Sequence, residues 1–217
     1  MNIITYTPLL LQGAGITCVA WLICGLISLL LGSILGFLSS EQIGSKTTRS
    51  IIRAYSFITR GIPAYVQILI AYFVIPSLLG LEISGFTAAS CALAICSSGY
   101  VTEIVKSGIH AISSGQWDAC FALGFSRMQA IRYIIAPQTL KIILPSLVGE
   151  GEQLLKTTSL FAAIGITEIT RAGMNIISRE LNPLPIYCII AAIYLLFSAI
   201  FNLLIMYIQS DTMKQKN

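Results

Sequence analysis

Five apolar stretches of about 20 residues or more lie between the charged residues of this chain: Gly15 to Leu38, Ile62 to Leu81, Ile83 to Val105, Ile142 to Ile166 and Leu184 to Ile208. A helix of that length crosses roughly 30 Å of hydrocarbon, and within a bilayer only helices and closed barrels satisfy their own backbone. The expected fold is therefore an all-α integral membrane protein with about five transmembrane helices. Composition agrees, since 56% of the 217 residues are hydrophobic and only 10% are charged, against roughly 25% charged in ordinary soluble domains. No residue from Met1 to Ser40 is charged. The start thus lacks the basic region of a cleaved signal peptide and is expected to be retained as a span. No repeat of fixed period divides the chain, and residues 1–217 read as one membrane domain.

The net charge of +4 is scattered among loops rather than gathered on one face, which speaks against a nucleic-acid partner. Sidedness explains it better. The linkers after the first and third spans carry Lys46, Arg49, Arg53, Arg60 and Lys106, Arg127, Arg132, Lys141, and the tail carries Lys214 and Lys216. The opposite segments hold only Arg171 and Arg179. Ten basic residues against two put the N-terminus outside, and both linkers and the C-terminus in the cytoplasm. On the outer side, Arg171, Arg179 and Glu180 could meet an extracytoplasmic partner, although solvated loop charges are the commoner explanation.

Several chemistries find no residues here. There is no Gly-rich loop ending in Lys-Ser or Lys-Thr, no serine elbow, and only one histidine, His110, so neither a nucleotide site nor a metal cluster is expected. The six cysteines show no paired spacing. The chain does not read as an enzyme and holds no cofactor of its own.

Residues 113–138, SSGQWDACFALGFSRMQAIRYIIAPQ, interrupt the apolar pattern. They predict two short helices joined at Gly124. Ser113 with Gln116, and Ser126 with Gln129, both have capping-box spacing. Asp118 is expected in the first turn, where the helix dipole favours a carboxylate, Gly124 in a left-handed closing position, and Pro137 as the stop of the second helix. Trp117, Phe121, Leu123, Phe125 and Met128 would face outward, more apolar surface than a solvated connector needs. A cytoplasmic docking surface is implied.

The fourth span carries Glu150, Glu152 and Lys156, and an ionisable group there costs several kcal/mol unless it is paired or faces a cavity. Glu152 and Lys156 are four apart in the favourable order and can neutralise each other. Glu150 is about 200° around the helix from Glu152, leaving it unpaired within its own helix and the first candidate for lining a pathway. Gly149 and Gly151 flank it with room for a helix or a substrate. In the third span Glu103 either pairs with Lys106 or lines the same path. An oligomeric channel or ion-coupled carrier built on Glu150 and Glu103 is one reading, and a membrane anchor for a cytoplasmic partner is another.

These residues resemble a known family, the membrane permease subunits of bacterial ABC importers, in the branch that takes up polar amino acids. The cytoplasmic stretch is similar to that family's EAA loop (Glu-Ala-Ala, three residues, Gly, nine residues, Ile, one residue, Leu-Pro): Asp118, Ala119 and Cys120 stand first, Gly124 follows at the right spacing, and Ile134 with Pro137 closes the pattern. RGIPAYVQILIAYFVIP from Arg60 resembles the branch's Arg-Gly-Thr-Pro segment, GYVTEIVKSGIHAI from Gly99 its Tyr-x-x-Glu segment with Tyr100 and Glu103, and LLKTTSL from Leu154 its Leu-Leu-Lys-Asp-Thr-Ser-Leu stretch, which contains Lys156 and Thr158.

The resemblance implies a permease of the bacterial inner membrane that pairs with a second permease, identical or sister, to form the pathway. Two ATPase subunits, which hold ATP and Mg, would dock on the EAA loops, and an extracytoplasmic binding protein would deliver the amino acid. It carries a coupling role onto Asp118, Ala119, Phe121, Gly124 and Pro137. It carries a pathway role onto Glu150, Gly149, Glu103, Tyr100, Lys156 and Thr158. A buried carboxylate at Glu150 favours arginine, lysine or histidine, with glutamine as the other candidate.

Overall fold

The structure is a computed structural model that describes residues 3–214, with side chains for residues 5–207. Lys216 and the Lys214 side chain, counted above for sidedness, lie outside the described residues, as does the Ile208 side chain at the end of the fifth expected span. The described residues form helices and no strands. In chain order these are α1 (Ile3–Leu38), α2 (Lys46–Gly61), α3 (Ala64–Leu79), α4 (Gly85–His110), α5 (Ser114–Ala122), α6 (Arg127–Ile164), α7 (Ile169–Glu180) and α8 (Pro183–Lys214). Helices α1, α4, α6 and α8 are each long and apolar enough to cross a bilayer, and α2 with α3, bent by 97° at the break between them, passes the same test only as a pair, as a broken span or a re-entrant loop.

The centre is α4. Its buried side chains are mostly small, among them Ala88, Ala89, Ala92, Ala94, Ser97 and Ser98, which lets neighbouring backbones approach closely. Helix α1 uses that room through a Gly-x-x-x-Gly pair. A Cβ on Gly32 would come within 2.5 Å of the Val101 Cβ, and one on Gly36 within 2.5 Å of the Val105 Cβ. Between lipid-exposed helices the hydrophobic effect supplies little, so close contact of this kind is what holds them.

The second span departs from expectation. Helix α3 covers about 24 Å at 1.5 Å per residue, short of the roughly 30 Å of hydrocarbon, and reaches the length of a span only together with α2. Lys46, Arg49, Arg53 and Arg60 had marked this stretch as a linker. Their side chains occupy other sides of α2, while Ile52, Ser56 and Thr59 are buried. A Cβ on Gly99 would stand 2.1 Å from Thr59 Oγ1, so α2 runs along α4 nearly in backbone contact. At the bend, Ile62 and Pro63 leave helix, and Gln67 Nε2 donates to the Thr59 and Ile62 carbonyls at 2.7 and 2.8 Å. The freed C-terminal carbonyls of α2 are thereby satisfied inside the protein.

Pro137 does not end a helix. Residues Ile131–Ile135 form a π-helical turn in which the Ala136 N–H bonds the Ile131 carbonyl five residues back. The wider turn accommodates the proline ring and its missing N–H, and helix continues to Ile164. The same device precedes Pro76: Ile70–Val74 is π-helical, and the Ile75 N–H reaches the Ile70 carbonyl. The expected second short helix is therefore the first turn of α6, and the helix that carries the fourth span begins at Arg127, ahead of the expected span at Ile142.

On the opposite side from α5, the expected external loop contains α7. Glu168 caps it, accepting from the Thr170 and Arg171 N–H groups at 2.9 and 2.8 Å. This carboxylate is fully buried and also accepts from the Tyr194 hydroxyl of α8 at 3.3 Å. Thr17 of α1 accepts from the Ile169 N–H. Three helices thus converge on one cap. Glu180 at the other end of α7 accepts from the Tyr6 hydroxyl.

Candidate functional site: a membrane cavity and a docking helix

Where α2 bends away from α4, a cavity of about 620 Å³ opens between α2, α3, α4 and α6. Helix α4 turns Leu93, Cys96, Ser97 and Tyr100 toward it. Helix α6 supplies Glu150, Gln153, Leu154, Lys156 and Thr157, and the end of α2 supplies Arg60. Tyr100 lies about 15 Å along α4 from His110, so these polar groups meet along an apolar helix long enough to cross a bilayer.

Glu150 accepts a hydrogen bond from Ser97 Oγ at 2.7 Å. No cation stands within ion-pair distance of it among the described residues. Its neighbours separate as helical phase requires: Lys156 Nζ meets Glu152 Oε1 at 2.6 Å, and Lys106 Nζ meets Glu103 Oε2 at 3.4 Å. Gly149 faces open space, whereas Gly151 is covered by Phe201 and its carbonyl accepts from Trp21 Nε1 at 2.9 Å. Gly149 lines neither the cavity beside Glu150 nor the second cavity toward His110, and Gly151 makes a helix contact.

Of the remaining pathway residues, Tyr100 and Lys156 reach this cavity, and Glu103 lines a second one of about 360 Å³ toward the His110 end of α4. Thr158 reaches neither. It is fully buried, with Oγ1 donating to the Leu155 carbonyl at 2.7 Å, while Thr157 and Ser159 line the wall. The helix tightens into a 3-10 turn at Thr158, which turns this side chain inward. Arg60 and Ser97 had not been placed in a site. Arg60 had been counted with the linker cations, and Ser97 lies in a run of small residues with no distinguishing spacing.

The docking segment is built more simply. Helix α5 closes at Gly124, whose φ is 79°. The Phe125 N–H bonds the Cys120 carbonyl, and the Gly124 N–H bonds the Phe121 carbonyl, both at 3.0 Å, a complete Schellman closure. The Ser126–Gln129 capping box is formed. Ser113, by contrast, makes no side-chain cap bond: Gln116 turns instead to Gln138, accepting from its Nε2 at 3.2 Å and tying α5 to α6. Asp118 is the fifth residue of the helix that starts at Ser114, and so lies past the first turn in which it was expected.

Trp117 is not part of the outer surface. It is 3% exposed and packs with Cys120 among Val105, Ile109 and Ile135. Asp118, Ala119, Phe121 and Leu123 face outward, with Met128 nearby and Pro137 also exposed. A short helix anchored by one buried tryptophan, with a mixed acidic and apolar face turned out, suits it to seat in a partner's groove.

Residues 9–214 match a family model described as the inner membrane component of binding-protein-dependent transport systems. The chain is 34% identical over 201 residues, 91% of its length and 90% of the relative's, to a glutamine transport system permease protein, GlnP, of Escherichia coli (strain K12). It is 33% identical to an arginine transport system permease protein, ArtQ, of Bacillus subtilis (strain 168), covering 86% of this chain and 84% of that one. Among solved structures, an amino acid ABC transporter crystallised with histidines contains a chain that superposes with a TM-score of 0.87 at 34% identity, covering 97% of each. An inward-facing MetNI methionine ABC transporter shares the fold at a TM-score of 0.75 and 18% identity.

Proposed function

We propose a transport function on one premise: the chain belongs to the family of binding-protein-dependent transport system inner membrane components. It is an amino acid ABC importer permease, a membrane component rather than an ATPase. The finer reading rests on Glu150, a carboxylate on the wall of a membrane cavity that accepts from a single hydroxyl. Its remaining lone pairs are free to accept charge-assisted bonds from a guanidinium or ammonium. The substrate is accordingly a cationic amino acid, arginine, lysine or histidine, in keeping with the arginine permease among its relatives. Glutamine is the second reading, favoured by the glutamine permease, which is 34% identical over 91% of this chain against 33% over 86% for the arginine permease.

In this account the chain spans the bacterial inner membrane as one domain over residues 1–217, with the N-terminus outside and the C-terminus in the cytoplasm. A second permease, identical or sister, completes the pathway. An extracytoplasmic binding protein delivers substrate near α7. An ATPase dimer, which holds ATP and Mg, takes α5 into its grooves through Asp118, Ala119, Phe121 and Gly124. Closure of that dimer carries α5 as a rigid body and, through the Gln116–Gln138 tie and α6, moves the wall that bears Glu150.

The test is labelled uptake in proteoliposomes holding the permease, its ATPase subunit and its binding protein. Uptake of arginine, lysine or histidine that requires ATP and binding protein is expected, with a clear loss in Glu150→Gln. Glutamine uptake indifferent to that change would favour the second reading. Substrate flux without ATP would favour a channel or carrier.

A further inference from the structure

We infer that Arg60 binds the α-carboxylate of the transported amino acid and, stacked on Tyr100, forms the partition between the substrate cavity and the second cavity below it. The inference rests on the importer reading above. Two observations carry it.

The first is position. Arg60 and Tyr100 are the two residues shared by the walls of both cavities. The Arg60 guanidinium lies 5.9 Å from the centre of the Tyr100 ring, within cation–π range. Arg60 occupies the last turn of α2, at the 97° bend, and its Nε donates to the Ser56 carbonyl at 3.2 Å. The tight approach of Thr59 to Gly99 holds this turn against α4, so the guanidinium is fixed over the ring. A substrate passing from one cavity to the other must separate the pair.

The second is unspent bonding capacity. The terminal guanidinium nitrogens of Arg60 have no hydrogen-bond or ion-pair partner among the described residues. An arginine within a membrane span is costly to leave so, and its planar fork matches a carboxylate bidentately. The other cation on the same wall, Lys156, is already engaged by Glu152 at 2.6 Å. Arg60 and Glu150 therefore offer one free cation and one free anion to one cavity, the complement of an amino acid's carboxylate and its basic end.

The experiment uses the full complex in proteoliposomes and four probes: L-arginine, L-glutamine and the α-amide of each, which lacks the carboxylate. Wild type should prefer each acid over its amide by about tenfold or more, as a charge-assisted pair implies, and Arg60→Gln should reduce that preference to near unity. Tyr100→Ala should keep the preference but release preloaded substrate without ATP, and Tyr100→Phe, which keeps the ring, should hold it. Arg60→Lys keeps the charge but loses the fork; it carries the test should Arg60→Gln fail to assemble, with a preference reduced several-fold. An unaltered preference in either Arg60 variant overturns the carboxylate site, and a tight Tyr100→Ala overturns the partition. A wild-type complex inert to all four probes, and to lysine and histidine as well, overturns the importer reading itself and this inference with it.

Discussion

Replacing Gly124 separates folding from coupling more cleanly than any other change in the docking segment. Its φ of 79° closes α5, yet a Cβ built there meets nothing within 4 Å. A side chain therefore brings no clash within the chain, only the left-handed backbone penalty of about 1–2 kcal/mol, toward the upper end for a β-branched residue. Gly124→Val should lower the unfolding temperature by about 2–8 °C at roughly 2–4 °C per kcal/mol for a chain this size. Gly124→Asn, which tolerates that region, should cost less. In the assembled importer the new side chain would occupy the space reserved for the ATPase groove. ATP-driven uptake should fall by about tenfold or more in Gly124→Val, the loss expected when a packed contact is forced apart by about 1.4 kcal/mol or more, while membrane insertion and the folded state persist. Thermal unfolding of the purified chain and uptake by the reconstituted complex measure the two effects separately. Wild-type uptake by Gly124→Val would refute the docking role, and a collapse in thermal stability far beyond the backbone penalty would refute the claim that this site faces open space.

The same structure makes other demands. Gly32→Ala or Gly36→Ala should each destabilise by about 1–3 kcal/mol, because the new methyl would stand 2.5 Å from a valine Cβ; unfolding temperatures equal to wild type would show that α1 and α4 are not in such close contact. Trp117→Ala should cost about 3–5 kcal/mol as a buried aromatic truncation and loosen α5 from the bundle, which protease sensitivity between α4 and α6 would report; resistance equal to wild type would contradict its anchoring role. Ser97→Ala removes the only hydrogen-bond donor to Glu150 among the described residues and should weaken substrate affinity a few-fold without abolishing transport, read from the concentration dependence of uptake; an unchanged half-saturation concentration would remove Ser97 from the site.

What could be read from the sequence was local. The Gly124 closure, the Ser126–Gln129 box and the Glu152–Lys156 pair depend on residues three or four apart, and each forms as spacing and turn chemistry require. Misreadings arose where a distant contact decides. Helix α2 looked like a linker because its charges are conspicuous, while its buried face of Ile52, Ser56 and Thr59 is modest and acquires meaning only against Gly99. Trp117 looked exposed because spacing within a nine-residue helix cannot tell a core face from a partner face. Pro137 looked like a stop because that rule assumes α-helical spacing, which the π turn before it relaxes. Glu168 was passed over as one carboxylate in a polar loop, and its burial depends on Tyr194 from a helix that follows it. For the site, Glu150 stood out through its own helix alone, but Arg60 and Ser97 belong to other spans and join it only in three dimensions.

Glu150 is proposed as the mark of the substrate site of an ATP-driven importer. This role is tested most directly by the ATPase activity of the chain co-purified with its ATPase subunit in lipid, with binding protein and arginine, lysine, histidine or glutamine in turn, comparing wild type with Glu150→Gln. Stimulation by the cationic amino acids is expected in wild type, and its loss in the variant. Equal stimulation of both proteins by glutamine alone would contradict the assignment of Glu150, and the absence of any associated ATPase would contradict the importer itself.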